Sequence, residues 1–381
     1  MKVLYIASGD YKYGASKSMM SLLLYLKEYH HVEPILLTKK YNKLNKICND
    51  LKIENYSCWY CDFMSGSPYS CFLFKFMKHM VKFSLYIVGS LTQYRIDKCG
   101  IDFSTIDIVH TNLNRILAGA YLSSKFKIPH VWHIREFGKE DYNVLFYKPH
   151  TIKYMNENAD VFITISDAVR KCWIQKGLDK HKLKTVYNGI ETQKYIPKKT
   201  NNNNNLKLVI AGHIQPNKGQ LQLVKAIALL PIEIRNCISV DIIGEGYWDY
   251  IYKIKKTIKK YSLYNIHLLG YCDNMSPKLS EYDVGIICSK SEAFGRITIE
   301  YIRAGLYVIA SNTGANPELI QHKKLGILYE YGNIKSLAKC IEHIFYHKDV
   351  LHTDHSTNNI FTIEDYAENI YKIYQELLSR L

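Results

Sequence analysis

Two kinds of apolar pattern alternate along this chain. Short unbroken apolar runs read as buried strands: "VLYIAS", "EPILLT", "IDIVH", "HVWHI", "DVFITIS" and "KTVYN". Between some of them the apolar residues recur at helical spacing, as in "SKSMMSLLLYLKEY" and "RILAGAYLSSKF". Strand, helix, strand in repetition predicts a parallel, doubly wound sheet.

The alternation stops at "KKTNNNNNLK", where five asparagines in a row cannot build a core and read as a linker. It then restarts. "LKLVIAG", the helix "QLQLVKAIALL", "SVDIIGEG", "NIHLLG", "YDVGIIC", "LYVIAS" and "LGILY" give a second set of strands and crossovers. An amphipathic helix in "IEDYAENIYKIYQELL" closes the pattern. We therefore expect an N-terminal Rossmann-like domain over 1–195, a linker over 196–205 and a second domain over 206–360. A final helix over 361–381 is expected to pack back toward the first domain. Two such domains would leave a central cleft, with ligands beyond the C-terminal strand ends.

Composition agrees with a folded chain: 47% of the 381 residues are hydrophobic and 22% charged. The start, "MKVLYIASGD", reads as a buried strand rather than a signal peptide. The ten cysteines show no regular framework. They read as reduced thiols of a cytoplasmic protein, with Cys58 and Cys61 a lone pair lacking zinc spacing. Charge is uneven. Residues 1–200 carry 30 Lys and Arg against 17 Asp and Glu, a surplus of 13; residues 201–381 carry 20 against 18, a surplus of 2. The first half is thus the one to meet an anionic partner, such as a membrane surface, an acceptor or a nucleic acid. No known nucleic-acid motif is present, and none is expected as a partner. "CFLFKFMKHMVKFSLYIVGS" is interrupted by Lys75, Lys78 and Lys82. It can lie on a membrane or be a partly buried helix with solvated lysines.

Five loops follow strands and could carry chemistry. Gly14 and Ala15 precede a helix in "SGDYKYGASKS". Lys218 and Gly219 open a helix in "AGHIQPNKGQ"; a cation there opposes the helix dipole unless an anion joins it. "SEAFGRITIE" places Glu292 before a helix and Glu300 within it, with Arg296 four residues ahead of Glu300. The pair Arg296–Glu300 and a dipole role for Glu292 would suffice structurally. The amides of Phe294, Gly295 and Arg296 could equally hold a polar ligand. In "SNTGANPELI", Asn316 is expected to cap a helix that starts with Pro317. His133, in "VWHIREFG", is expected at a strand end.

In this order, with "ISDAV", "VYNGI" and "GEG" followed by "LLGY", these motifs resemble the retaining, nucleotide-sugar-dependent glycosyltransferases of family 4, which have the GT-B fold. The most specific element is the E-x7-E of Glu292 and Glu300. The resemblance implies roles. Glu300 would bind ribose hydroxyls and Glu292 the donor sugar. Phe294, Gly295 and Arg296 would offer amides to sugar and phosphate, and Lys218 would neutralise the diphosphate. Gly14 and Ala15 would approach the diphosphate, His133 would lie near the reacting centre, and Tyr271 with Cys272 would flank the base. His213 stands where the family usually has arginine, and Ala315 where it often has a second glycine. The implied reaction moves a hexose, taken as UDP-linked, to a glycan or lipid-linked hydroxyl. No cofactor is implied, and with no Asp-x-Asp in the chain neither is a metal. Sugar phosphorylases and epimerases share the fold. A basic nucleic-acid binder or an inactive scaffold is the alternative from another class.

Overall fold

In a computed structural model, the chain forms two compact units. The structure describes residues 1–8, 11, 14–60, 62–65, 72–142, 145–190, 205–320, 325–351 and 360–380. Cys61 and the asparagine run up to residue 204 lie outside these.

The first unit comprises Met1–Glu191 and Phe361–Leu381. Its chain runs β1 (Lys2–Ala7), α1 (Gly14–His30), β2 (Glu33–Thr38), α2 (Lys43–Asp50), β3 (Glu54–Ser57), β4 (Met64–Ser65), α3 (Phe72–Thr92), β5 (Ile108–Thr111), α4 (Ala118–Phe126), β6 (His130–Ile134), α5 (Lys139–Tyr142), β7 (Leu145–Phe146), α6 (Thr151–Glu157), β8 (Val161–Thr164), α7 (Asp167–Gln175) and β9 (Leu183–Thr185). Seven strands pair in the order β3-β2-β1-β5-β6-β8-β9, every pair parallel. Strands β4 and β7 form a separate antiparallel ribbon. The central strand β1 is apolar and covered on both faces: Val3, Leu4, Tyr5 and Ile6 are all fully buried.

The second unit, Thr192–Ile360, contains β10 (Leu206–Ala211), α8 (Gln220–Leu229), α9 (Ile232–Asn236), β11 (Ile238–Ile243), α10 (Trp248–Lys260), β12 (Ile266–Gly270), α11 (Met275–Leu279), β13 (Val284–Ile287), α12 (Arg296–Arg303), β14 (Tyr307–Ser311), α13 (Asn316–Leu319), β15 (Gly326–Tyr329) and α14 (Ile334–Tyr346). Its six strands are parallel in the order β12-β11-β10-β13-β14-β15. The last helix, α15 (Ile363–Leu378), belongs to the first unit, where Tyr366, Ile370, Ile373 and Tyr374 join the core beside α1 and the sheet.

Both sheets are doubly wound, as the alternation predicts. Three local expectations change. α2 was not expected: only Leu44, Asn45 and Cys48 are buried, so its apolar period is thin. It is fixed instead by a capping box in which Asn42 and Asn45 bond each other's backbone. His133 lies inside β6 rather than after it. Asn316 does not cap α13; Ala315 holds that position. The Asn316 side chain is buried and donates to the Ser311 carbonyl at 3.0 Å, so it ties α13 to β14.

Candidate functional site

In an open parallel sheet, ligands gather where the strand order reverses, beyond the C-terminal strand ends. In the second unit that point lies between β10 and β13. The loop after β10 carries Lys218 and the loop after β13 carries Glu292. They meet there: Lys218 Nζ lies 2.7 Å from Glu292 Oε2. The same oxygen accepts from Ser289 Oγ at 2.8 Å. The Lys290 amide donates to the Asn217 carbonyl at 2.7 Å, pinning one loop to the other. Lys218 is therefore neither a solvated surface lysine nor a cation without an anion. It closes a one-turn helix at Pro216–Lys218 just before Gly219, the N-cap of α8, and its charge is met by Glu292.

The turn between Glu292 and α12 depends on two glycines. Gly295 is the N-cap of α12 with φ 84°, a conformation that side chains resist. Gly314, from the loop after β14, sits against Glu292. A Cβ there would lie 2.3 Å from the Glu292 carbonyl oxygen, and the next amide, Ala315 N, donates to that oxygen at 2.7 Å. The loop after β14 thus holds the Glu292 backbone, while Lys218 from the loop after β10 holds its side chain. No side chain caps α12, so its first-turn amides are not taken by a cap. An uncapped helix N-terminus attracts anions. Among the described residues, the buried oxygens Ser291 Oγ, Thr298 Oγ1 and Gln220 Oε1 have no hydrogen-bond partner, as expected of a polar site awaiting a ligand or water.

A turn into α12, Arg296 Nε pairs with Glu300 Oε1 at 3.2 Å. Behind them, Tyr301 accepts the Ala211 amide at 2.8 Å and anchors the helix to the end of β10. Phe294 is buried, so it can offer a ligand only its backbone. Cys288 lines the recess beneath Lys218 and Glu292, with Ser289, Ile210 and Ile297. Burial pushes its thiol up to about 12, so it stays protonated and is no nucleophile. Farther along the strand ends, His213 is exposed and meets the Tyr247 ring edge-on at 5.3 Å. Tyr271 is 57% exposed. The Gly244 amide donates to the Gly270 carbonyl at 2.7 Å and joins the β11 and β12 loops. The second unit thus brings Lys218, Glu292, Gly295, Arg296 and Glu300 together, while His213 and Tyr271 stand on flanking loops.

In the first unit the strand order reverses between β1 and β5. Gly14 and Ala15 begin α1 there, and Asn112 Nδ2 donates to the Ala15 carbonyl at 3.2 Å. A Cβ on Gly14 would meet nothing within 4 Å. Beside them lies a buried polar network that sequence reasoning missed. Arg135 donates through Nε to Asn112 Oδ1 (2.8 Å), through Nη1 to Asn188 Oδ1 (2.6 Å) and through Nη2 to Tyr366 Oη (3.0 Å). Nη2 also lies 3.3 Å from His133 Nδ1, and His110 Nε2 lies 3.1 Å from that same nitrogen. A guanidinium only donates, so His133 Nδ1 must be a lone pair and His110 Nε2 the second donor. Tyr374 Oη, 2.5 Å away, then donates to His110 Nδ1. The proton of neutral His133 is left on Nε2, which is buried without a partner among the described residues. Burial, then Arg135 and His110, hold His133 well below the usual histidine range. His133 is therefore a neutral hydrogen-bond donor. Of this network sequence reasoning singled out His133 alone.

Two doubly wound units, one with an anion-ready helix end at its reversal point, are the architecture of the GT-B glycosyltransferases. The model for glycosyl transferases group 1 matches residues 191–355 and that for glycosyltransferase family 4 matches residues 66–194. Together they span most of the chain, which belongs to glycosyltransferase family 4. Among curated relatives, an uncharacterized glycosyltransferase of Methanocaldococcus jannaschii is 24% identical over 312 residues, 78% of this chain and 83% of its own. N-acetyl-alpha-D-glucosaminyl L-malate synthase of Bacillus anthracis is 24% identical over 201 residues, 49% of this chain and 50% of its own. Among solved structures, Anabaena HepE in complex with UDP and glucose has a TM-score of 0.76 at 18% identity, covering 98% of this chain and 99% of that one. WaaG, a glycosyltransferase involved in lipopolysaccharide biosynthesis, has a TM-score of 0.65 at 14% identity, covering 98% and 99%. At these identities the solved structures bear on fold alone.

Proposed function

We propose that this chain transfers a hexose from a UDP-sugar to a hydroxyl of a glycan or lipid-linked acceptor, with retention and without a metal ion. The observation that carries the reading is the Lys218–Glu292 pair beside the uncapped start of α12. An entering diphosphate competes with Glu292 for Lys218. It takes the lysine and the first-turn amides, and the freed carboxylate turns to the sugar hydroxyls. The amides of Phe294 and Gly295, and Arg296, complete the cradle, while His213 lies on the neighbouring loop. Glu300 holds the ribose hydroxyls and Tyr271 borders the base. In the first unit, the helix start at Gly14 and Ala15 suits phosphate, and His133 Nε2–H suits a sugar hydroxyl.

When the bond from the anomeric carbon to the phosphate oxygen breaks, its electron pair stays on the diphosphate. Preorganised cations and amides are worth most where that charge grows. The acceptor oxygen bonds the anomeric carbon on the same face, and its proton passes to the leaving phosphate. HepE, solved with UDP and glucose, supports a uridine donor by analogy.

A panel of nucleotide sugars, scored for thermal stabilisation and for slow hydrolysis without acceptor, tests the donor. Glu300→Ala should weaken donor binding by about tenfold or more, the loss expected for charge-assisted hydrogen bonds to two hydroxyls. Glu300→Asp should weaken it less. Unchanged donor KM and kcat in Glu300→Ala, with a stability loss of only a few tenths of a kcal/mol, would return Glu300 to a helix brace.

A further inference from the structure

The helix α3 is 21 residues long and holds no acidic residue. Contacts with Tyr147 hold it along one side. His79 Nδ1 lies 3.0 Å from Tyr147 Oη, and the rings of Phe83 and Tyr86 pack on Tyr147 at 5.8 and 6.1 Å. On the opposite side, Phe76, Met77, Met80, Val81, Leu85 and Val88 are between 43% and 60% exposed. At about 100° per residue these six fall within one half of the helix circumference, with Ser84 the polar residue among them. α3 is thus partly buried, on the side of His79, with Lys82 exposed, and its apolar arc is exposed as well. Soluble surfaces rarely leave so continuous an apolar strip uncovered unless it binds something.

Charge decides what it binds. Lys78 and Lys82 fall next to the apolar arc, between it and the anchored side. Burial first, then the charges of Lys82 and Arg115, lower the Lys78 pKa. Arg115 also pairs with Glu136 at 2.9 Å. Residues 1–200 carry a surplus of 13 positive charges, against 2 in the rest. An apolar arc with a cationic border, on a basic half of the chain, matches the boundary between anionic headgroups and acyl chains. Among the described residues, no helix is long and apolar enough to cross a membrane, so α3 would lie in the interface plane.

We propose that the exposed arc of α3 docks this protein on an anionic lipid surface, Met77, Met80, Val81 and Val88 entering the acyl boundary and Lys78 and Lys82 reaching the headgroups. This stands apart from the donor reading, because it is tested with no sugar present.

The full chain is sedimented with vesicles of phosphatidylcholine alone, and with vesicles containing about one third phosphatidylglycerol. We expect binding to the anionic vesicles only, weakening steeply as salt is raised. Val81→Asp should cut partitioning by at least about tenfold. Lys78→Gln with Lys82→Gln should cut it by about thirtyfold, since each basic residue near such a surface contributes about fivefold. Both variants should melt with wild type, because the altered side chains are outside the core. Failure of the wild type to bind anionic vesicles overturns the proposal, as does undiminished binding by Val81→Asp. A wild-type dimer that Val81→Asp dissociates, without vesicle binding, would assign the arc to a second copy of the chain and overturn it equally.

Discussion

Three histidines of the first sheet, His110, His130 and His133, are completely buried. Desolvation favours the uncharged ring, lowering His130 to about 4 and the other two well below the ordinary value. The sign of the consequence follows. Above about pH 6.5 the rings are neutral folded or unfolded, and they impose no pH dependence. Below it the unfolded chain takes up protons that the folded chain refuses, so stability falls. At pH 5.5 each histidine costs about 1.4 kcal/mol, or about 4 kcal/mol if the three add. Urea midpoints at pH 7.5 and 5.5 should differ accordingly. Equal midpoints would mean that these rings are not held neutral.

Among the elements, α15 reaches deepest into the site of the first unit. Its Tyr374 donates to His110, which donates to His133, so a helix 264 residues along the chain sets where the His133 proton sits. Tyr374→Phe leaves a buried lone pair on His110 without a donor, and should cost about 1–3 kcal/mol. A urea titration measures this. A loss of a few tenths would show that His110 finds another donor.

Such contacts explain what the sequence showed and what it hid. Parallel strands buried on both faces are apolar runs, so "VLYIAS" and "YDVGIIC" announced themselves. β3, with the sequence "ENYS" at a sheet edge, has no apolar residue besides Tyr56 and gave no signal. The loops bearing Lys218 and Glu292 were legible because motif order places them after strands. Their ion pair was not, since the two residues are 74 apart and meet only through the strand order. For α3, the sequence showed an apolar run broken by Lys75, Lys78 and Lys82 but not which of its side chains are covered.

At the scale of the whole molecule, the first unit is discontinuous in sequence: its core needs α15, and the second unit lies between. A chain halted at Ile360 lacks Tyr366, Ile370, Ile373 and Tyr374 from that core. It should lose the first unit's protease resistance while keeping that of the second, which has its own sheet and its own apolar core. Fragment patterns from limited proteolysis would show this; equal resistance of both units would mean that α15 is dispensable.

That discontinuity has a meaning in time. A ribosome makes β1 to β9 first, yet their apolar face beside α1 stays uncovered until α15 emerges. About 170 residues of the second unit intervene. At roughly 5–20 residues per second, the nascent first half waits on the order of ten to thirty seconds with that face open. During this interval it is a natural client for holding chaperones. The second unit, complete in one stretch, can fold while its elder neighbour is still waiting.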